Sequence, residues 1–201
     1  MDAISFLAFG VFTSAMSGNT IVLGIAIGEQ AWPLGINASV ALVAYLVGAA
    51  ISSVVRREPR VLISAQVVLL TALCGIWLSH EPTLQQPQVR YVLIVLAALA
   101  MGVQAAVAQS LRLSGIITVV FTGTLTAIAK AVAERLLGRT TTLSADTKRQ
   151  MASWVCYCVG AILGGFLQTR TGMAALLPLA TSGAALTAAC YARSEGGSQS
   201  T

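Results

Sequence analysis

The chain is a succession of long apolar runs separated by short polar ones. A bilayer-spanning helix needs roughly 20 mainly apolar residues, and that template fits about seven stretches, at roughly 3–28, 34–55, 61–79, 90–110, 114–137, 151–168 and 172–192. The connections are short, and the largest, around Gly138 to Gln150, is too small for a soluble domain. The pattern predicts an all-α polytopic membrane protein with one transmembrane domain over residues 1–193 and a disordered polar tail over 194–201.

Two of the apolar runs are interrupted. "MSGNT" places Ser17, Gly18, Asn19 and Thr20 where an unbroken helix is otherwise expected, and "FTGTLT" repeats the theme with Thr122, Gly123, Thr124 and Thr126. Ahead of the second cluster, Ile116 to Val120 is a β-branched run that favours extended backbone, and Thr122, Gly123 and Thr124 can start a helix running on through Ala127 to Leu136. "FGVFTSAM" followed by "SGNTIVLGIAIG" permits the same half-extended, half-helical reading, with Ser17 or Asn19 as the cap and Gly18 allowing close backbone approach.

The chain also resembles itself. "YLVGAAISSVVRR" from Tyr45 aligns with "YCVGAILGGFLQTR" from Tyr157, pairing Tyr45 with Tyr157, Gly48 with Gly160 and Ala49 with Ala161. A polar break precedes each and a further apolar segment follows each, giving repeat one over about 1–80 and repeat two over about 90–193. "VQAA" from Val103 lines up with "MDAI" from Met1, so Asp2 corresponds to Gln104. Gln104 follows the apolar stretch Arg90 to Val103, so a complete first repeat predicts one further apolar helix ahead of Asp2 and, without it, a vacant groove that a second copy of the chain could fill. Four full spans per complete repeat would make the repeats parallel, whereas a re-entrant break would place the basic loops at Arg56, Arg57 and Arg60 and at Lys130 to Arg149 on one face.

Composition strengthens the membrane reading. The chain is 56% hydrophobic and 9% charged, against roughly 25% charged residues in soluble domains. Its net charge of +5, from 12 Lys and Arg against 7 Asp and Glu, sits at helix ends and loops, as positive-inside anchoring requires. No basic run is interleaved with aromatic residues, so nucleic acid is not an expected partner. Cys74, Cys156, Cys158 and Cys190 all fall in apolar segments and read as inert buried thiols, and the lone His80 lies in a polar loop. No metal or other cofactor is implied, and no Ser/His/Asp set or nucleotide loop suggests an enzyme.

"DAISFL" from Asp2, "VFTSAMSGNT", "GVQAA" and "VVFTGTLT" together resemble the YoaK-like membrane proteins, a bacterial family of unassigned function. The resemblance spans essentially the whole chain and implies a multi-pass protein of the bacterial plasma (inner) membrane. This chain departs from the family pattern in lacking a helix ahead of Asp2.

Interrupted helices in matching positions of two repeats point to a transporter's binding site, because half-helix N-termini present free N–H groups and a positive dipole end. The expectation is therefore a secondary transporter whose small polar or anionic solute sits between Ser17, Gly18, Asn19, Thr20 and Thr122, Gly123, Thr124, Thr126. Asp2 and Gln104 form a second candidate, a proton or polar site at membrane depth. The alternative is a structural or scaffold membrane protein in which these small and hydroxyl residues pack helices closely. Gln104 and Gln109 either line the cavity or bond neighbouring helices, and Lys130 with Glu134 forms an i, i+4 ion pair. Tyr45, Tyr157 and their glycines read as structural, Pro178 as a kink in the last helix, and Trp32, Trp77 and Trp154 as interfacial belts. The partners expected are the bilayer, a small solute and a second copy.

Overall fold

The computed structural model describes residues 1–55, 58–79, 86–110, 121–138, 142–172 and 176–198. Among the described residues eight helices follow in chain order: α1 (Asp2–Phe9), α2 (Met16–Gly28), α3 (Trp32–Val55), α4 (Pro59–Ser79), α5 (Pro87–Ser110), α6 (Phe121–Leu136), α7 (Ala145–Thr171) and α8 (Leu176–Ser198). No strand occurs among the described residues, and the fold is that of an all-α polytopic membrane protein. Within α3, α4, α5 and α7, stretches of 21 to 27 residues are long and apolar enough to cross a bilayer, while Met16–Gly28 and Leu176–Thr187 are apolar but shorter.

Local chemistry sets these boundaries. α4 and α5 each open on a proline, which lacks only an N–H that the first turn would leave unpaired anyway. Ser144 caps α7 by accepting the Thr147 N–H at 3.1 Å, and Gly172, at φ 67°, ends it. The tail expected over 194–201 is helical through Ser198, with the poor helix formers Gly196 and Gly197 in its last turn. Pro178 lies in the first described turn of α8, where a proline is tolerated, and not at a mid-helix kink.

α5 is the centre of the bundle and packs against both α3 and α4. Leu93, Ile94, Ala98 and Ala100 of α5 and Ala38 and Ala41 of α3 are inaccessible. The α3–α5 seam is closed by reciprocal glycines: a Cβ on Gly48 would come within 2.5 Å of the Leu99 carbonyl oxygen, and one on Gly102 would strike the Tyr45 carbonyl oxygen. Lipid offers no hydrophobic drive for helix association, so this close backbone approach is what holds the pair. Trp77 also belongs to the interior and not to an interfacial belt. Its ring meets Phe9 edge-on at 5.8 Å, and its indole N–H donates to the Gly172 carbonyl at 3.0 Å. Trp32 and Trp154 are exposed.

The first interruption lies upstream of the Ser17–Thr20 cluster. α1 ends at Gly10, whose φ of 73° is a left-handed stop, and helix resumes only at Met16, so Ser17, Gly18, Asn19 and Thr20 form the opening of α2. The N-cap of α2 is Ala15, without a side-chain cap, in place of the expected Ser17 or Asn19. Gly18 makes room for the Phe12 ring and not for another backbone, since a Cβ there would lie 2.7 Å from that ring. The backbone between the helices is paired by three side chains. Asn19 accepts the Phe12 N–H at 2.8 Å and donates to the Phe12 carbonyl at 2.7 Å. Asn37 of α3 donates to the Phe9 carbonyl at 3.1 Å. Asp2 Oδ1 accepts the Thr13 and Ser14 N–H groups at 2.8 and 2.7 Å, and Oδ2 accepts the Ser14 hydroxyl at 2.5 Å. The β-branched run Ile116 to Val120 lies outside the described residues.

Two stability predictions follow from this packing. Asn19→Leu keeps the side-chain volume but unpairs both polar groups of Phe12, each worth about 1–3 kcal/mol when buried, so the unfolding midpoint in detergent should fall well below that of the parent. A midpoint unchanged by the substitution would show that the Asn19 clamp is dispensable. Gly102→Ala should destabilise by about 1–3 kcal/mol, because a backbone contact cannot be relieved by rotamer change, while Gly75→Ala, with nothing within 4 Å of the new Cβ, should be near neutral. Equal effects in the same unfolding assay would contradict the seam.

Candidate functional site

A cavity of about 630 Å³ opens among α1, α5, α6, α7 and α8. α7 supplies its longest wall, with Ser153, Cys156, Tyr157, Gly160, Ala161, Leu163 and Gly164 at the three- and four-residue spacings that share one helix face. α5 contributes Met101 and Gln104, α6 contributes Thr124, and α8 contributes Leu177, Pro178, Thr181 and Ser182. Met1, Asp2, Ala3 and Ile4 at the start of the chain, with Ser14 beyond α1, complete the lining. α1 meets α7 through Ile4, which would touch a Cβ on Gly164 at 3.5 Å, whereas nothing lies within 4 Å of a Cβ on Gly160. The α7 face is therefore closed at Gly164 and open at Gly160.

The chemistry of this space is uneven. Among the described residues, Asp2 is the carboxylate in the lining, and no lysine or arginine side chain lines it. Its Oδ1 receives three hydrogen bonds, from the Thr13 N–H, the Thr13 hydroxyl and the Ser14 N–H, and its Oδ2 receives the Ser14 hydroxyl. All four donors are neutral, and the N-terminal amine of Met1, which also lines the cavity, interacts electrostatically with the carboxylate. Across the cavity, the Gln104 amide bonds the buried Gln66 of α4 at 3.1 Å, and Gln66 also bonds the Ser182 hydroxyl at 3.1 Å. That bridge ties α4, α5 and α8 together and holds Gln104 and Ser182 in place at the cavity wall.

Of the residues singled out in the sequence, the structure brings Asp2, Gln104 and Thr124 to this cavity. It leaves Ser17 and Thr20 exposed on the outer face of α2, with the Thr20 hydroxyl bonded to the Met16 carbonyl at 3.1 Å. Asn19 is inaccessible and committed to Phe12, and Gly18 is committed to the Phe12 ring. Gly123 and Thr126 are exposed on α6 and are not in the cavity lining. The side chains of Thr122, Gln109 and Cys190 fall outside the described residues, as do His80, Arg56, Arg57 and Arg139. Gln104 lines the cavity and also accepts a hydrogen bond from Gln66 of the neighbouring α4.

Other residues change role. Tyr45 and Gly48 sit in the α3–α5 seam, but their sequence counterparts Tyr157 and Gly160 face the cavity. Cys74 is buried as expected of an inert thiol, whereas Cys156 reaches the cavity wall. Lys130 and Glu134 form the expected pair at 3.9 Å, on an exposed face of α6 where it contributes little. Sequence reading missed Gln66, Asn37, Ser153, Thr181 and Ser182. A buried Gln within an apolar run was the available signal for Gln66, because such a group must find a partner. Single Ser and Thr residues in membrane helices carry no such signal, since they commonly bond their own helix.

The family profile described as "Protein of unknown function (DUF1275)" matches residues 1–189. The UPF0700 transmembrane protein YoaK of Bacillus subtilis (strain 168) is 28% identical over 177 residues, covering 81% of this chain and 76% of that protein. No solved structure matches the chain. The profile match spans nearly the whole of an all-helical, multi-pass membrane protein, and the chain belongs to the DUF1275 family.

Proposed function

We propose that the chain is a carrier of the bacterial inner membrane that binds a small polar solute in the cavity among α1, α5, α6, α7 and α8. The observation that carries this reading is the cavity itself, about 630 Å³ in volume and bounded by apolar helices, with Asp2 and Gln104 in its wall. That volume is in the range of small-molecule sites, and an ionisable residue among membrane helices is functional by default because its burial is expensive.

Part of the helix packing supports treating the two sequence halves as equivalent units, although the α4–α5 pairing has no counterpart between α8 and α1. With α1 aligned to the end of α5, α2 to α6, α3 to α7 and α4 to α8, the pairing of α2 with α3 corresponds to that of α6 with α7. The pairing of α3 with α5 corresponds to that of α7 with α1, and α4 with α8 is its own counterpart. Under this reading Asp2 and Gln104 are equivalent positions, both facing the space between the halves, and motion of one half against the other would expose the cavity to alternate sides. The solute position shifts from the Ser17–Thr20 cluster to this space, because Asn19 and Asp2 already pair the backbone there that a solute would otherwise have satisfied. The interruption of the second half, the homodimer and the absence of enzymatic chemistry remain part of the proposal on the sequence grounds already given.

Reconstituted protein screened with a panel of radiolabelled amines, amides and weak acids should show saturable uptake of at least one of them. Gly160→Leu places a branched side chain in open space, so it should reduce that uptake to about a tenth or less by filling the pocket, with the unfolding midpoint unchanged. Ser17→Ala and Thr20→Ala, outside the cavity, should leave uptake as in the parent. Full uptake by Gly160→Leu, or loss confined to the α2 variants, would refute the cavity as the site.

A further inference from the structure

We propose that the cavity recognises its solute by a carbonyl-type oxygen, on a carboxylate or a neutral amide, held between the Gln104 amide nitrogen and the Ser182 hydroxyl. The inference rests on the carrier reading for its location and goes beyond it in naming the group that is bound.

Gln66 sets the polarity of this wall. Its side chain is 4% exposed, and its amide nitrogen donates to both the Gln104 Oε1 and the Ser182 hydroxyl oxygen, each at 3.1 Å. Both amide hydrogens of Gln66 are thereby used. Gln104 has its oxygen turned to α4, so its own amide nitrogen keeps two hydrogens with no protein partner among the described residues. The Ser182 hydroxyl, whose oxygen accepts from Gln66, likewise has its hydrogen left to give. Both residues line the cavity, and because one nitrogen bonds both, they are neighbours on the α5 and α8 walls.

The acceptors in the same lining are already engaged. The Asp2 carboxylate receives four hydrogen bonds from Thr13 and Ser14, and the oxygens of Gln104 and Ser182 are taken by Gln66. A solute that displaces water from the Gln104 and Ser182 donors must replace the bonds that water made. A carbonyl oxygen, with two lone pairs, can take a hydrogen from each, whereas an ammonium group only donates and finds no partner there. The Met1 amine and the Asp2 carboxylate, which also line the cavity, interact with each other, so hydrogen-bond polarity and not net charge sets the preference. Ile4, Met101, Leu163 and Leu177 form an apolar remainder suited to a short hydrocarbon body.

Ligands of similar size and opposite hydrogen-bond polarity test the assignment. Purified full chain in detergent is titrated with butyramide, butyrate and n-butylammonium, and binding is read as the shift of the thermal unfolding midpoint with concentration. Butyramide or butyrate should bind with about tenfold higher affinity than butylammonium, since two hydrogen bonds separate them. Either one leading upholds the assignment, and their ratio tells a neutral from an anionic solute. Gln104→Glu keeps an oxygen for Gln66 but turns a second oxygen to the cavity in place of the N–H groups, so it should invert the order and put butylammonium first. Ser182→Ala should weaken butyramide and butyrate by about threefold to tenfold and leave butylammonium unchanged, a contrast that stands even where Gln104→Glu fails to fold. Tightest binding of butylammonium by the parent chain, or an order that neither variant alters, would overturn the assignment. Butyramide or butyrate binding without uptake of any solute in proteoliposomes would remove the carrier reading and leave the donor site standing. Saturable uptake that neither compound inhibits would do the reverse.

Discussion

Every backbone N–H and C=O kept from water must find a partner within the protein, and in this chain that requirement is most demanding between Gly10 and Ala15. Helices satisfy it internally, but α1 stops at Phe9 and α2 does not begin until Met16. The chain meets the demand with side chains: Asp2 takes the Thr13 and Ser14 N–H groups, Asn19 takes both polar groups of Phe12, and Asn37 takes the Phe9 carbonyl. These partners come from α1, α2 and α3, so the non-helical stretch also fixes how the three helices sit together. Each unpaired group would cost several kcal/mol in hydrocarbon, which makes these polar residues structural necessities.

A second constraint acts between α3 and α5. α5 approaches α3 so closely at Gly48 and Gly102 that no side chain fits between the backbones. The equivalent glycine of the second half, Gly160, meets nothing. Gly160 instead lines the cavity, where Asp2 also anchors the connection between α1 and α2.

Much of the architecture was legible in advance because membrane helices obey a local rule. About 20 apolar residues between polar punctuation make a span, and α3, α4, α5 and α7 cover the predicted stretches to within a few residues, apart from an extra N-terminal turn on α7. The site was less legible. Asp2, Gln104 and Thr124 were found because a polar residue inside an apolar run stands out, and they do face one space. Ser17, Gly18, Asn19 and Thr20 stood out for the same reason, yet two of them serve Phe12 and two face outward. Polarity marks a residue that needs a partner without saying whether the partner is backbone, side chain or solute.

Length, hydrophobic patterning and residue type, which are properties of contiguous sequence, determined the membrane class, the helical elements and the short list of polar positions worth attention. Tertiary structure alone decided which polar residues were spent. That Asn19 clamps Phe12, that Gln66 reaches Gln104 and Ser182 across three helices, and that Trp77 turns inward to the Gly172 carbonyl depend on distances between segments far apart in the chain. The same holds for Tyr45 and Tyr157, alike in sequence and opposite in setting, because burial is conferred by the neighbouring helix and not by the residue. A sequence states each residue's capacity for interaction, while only the packed fold brings the second partner within reach.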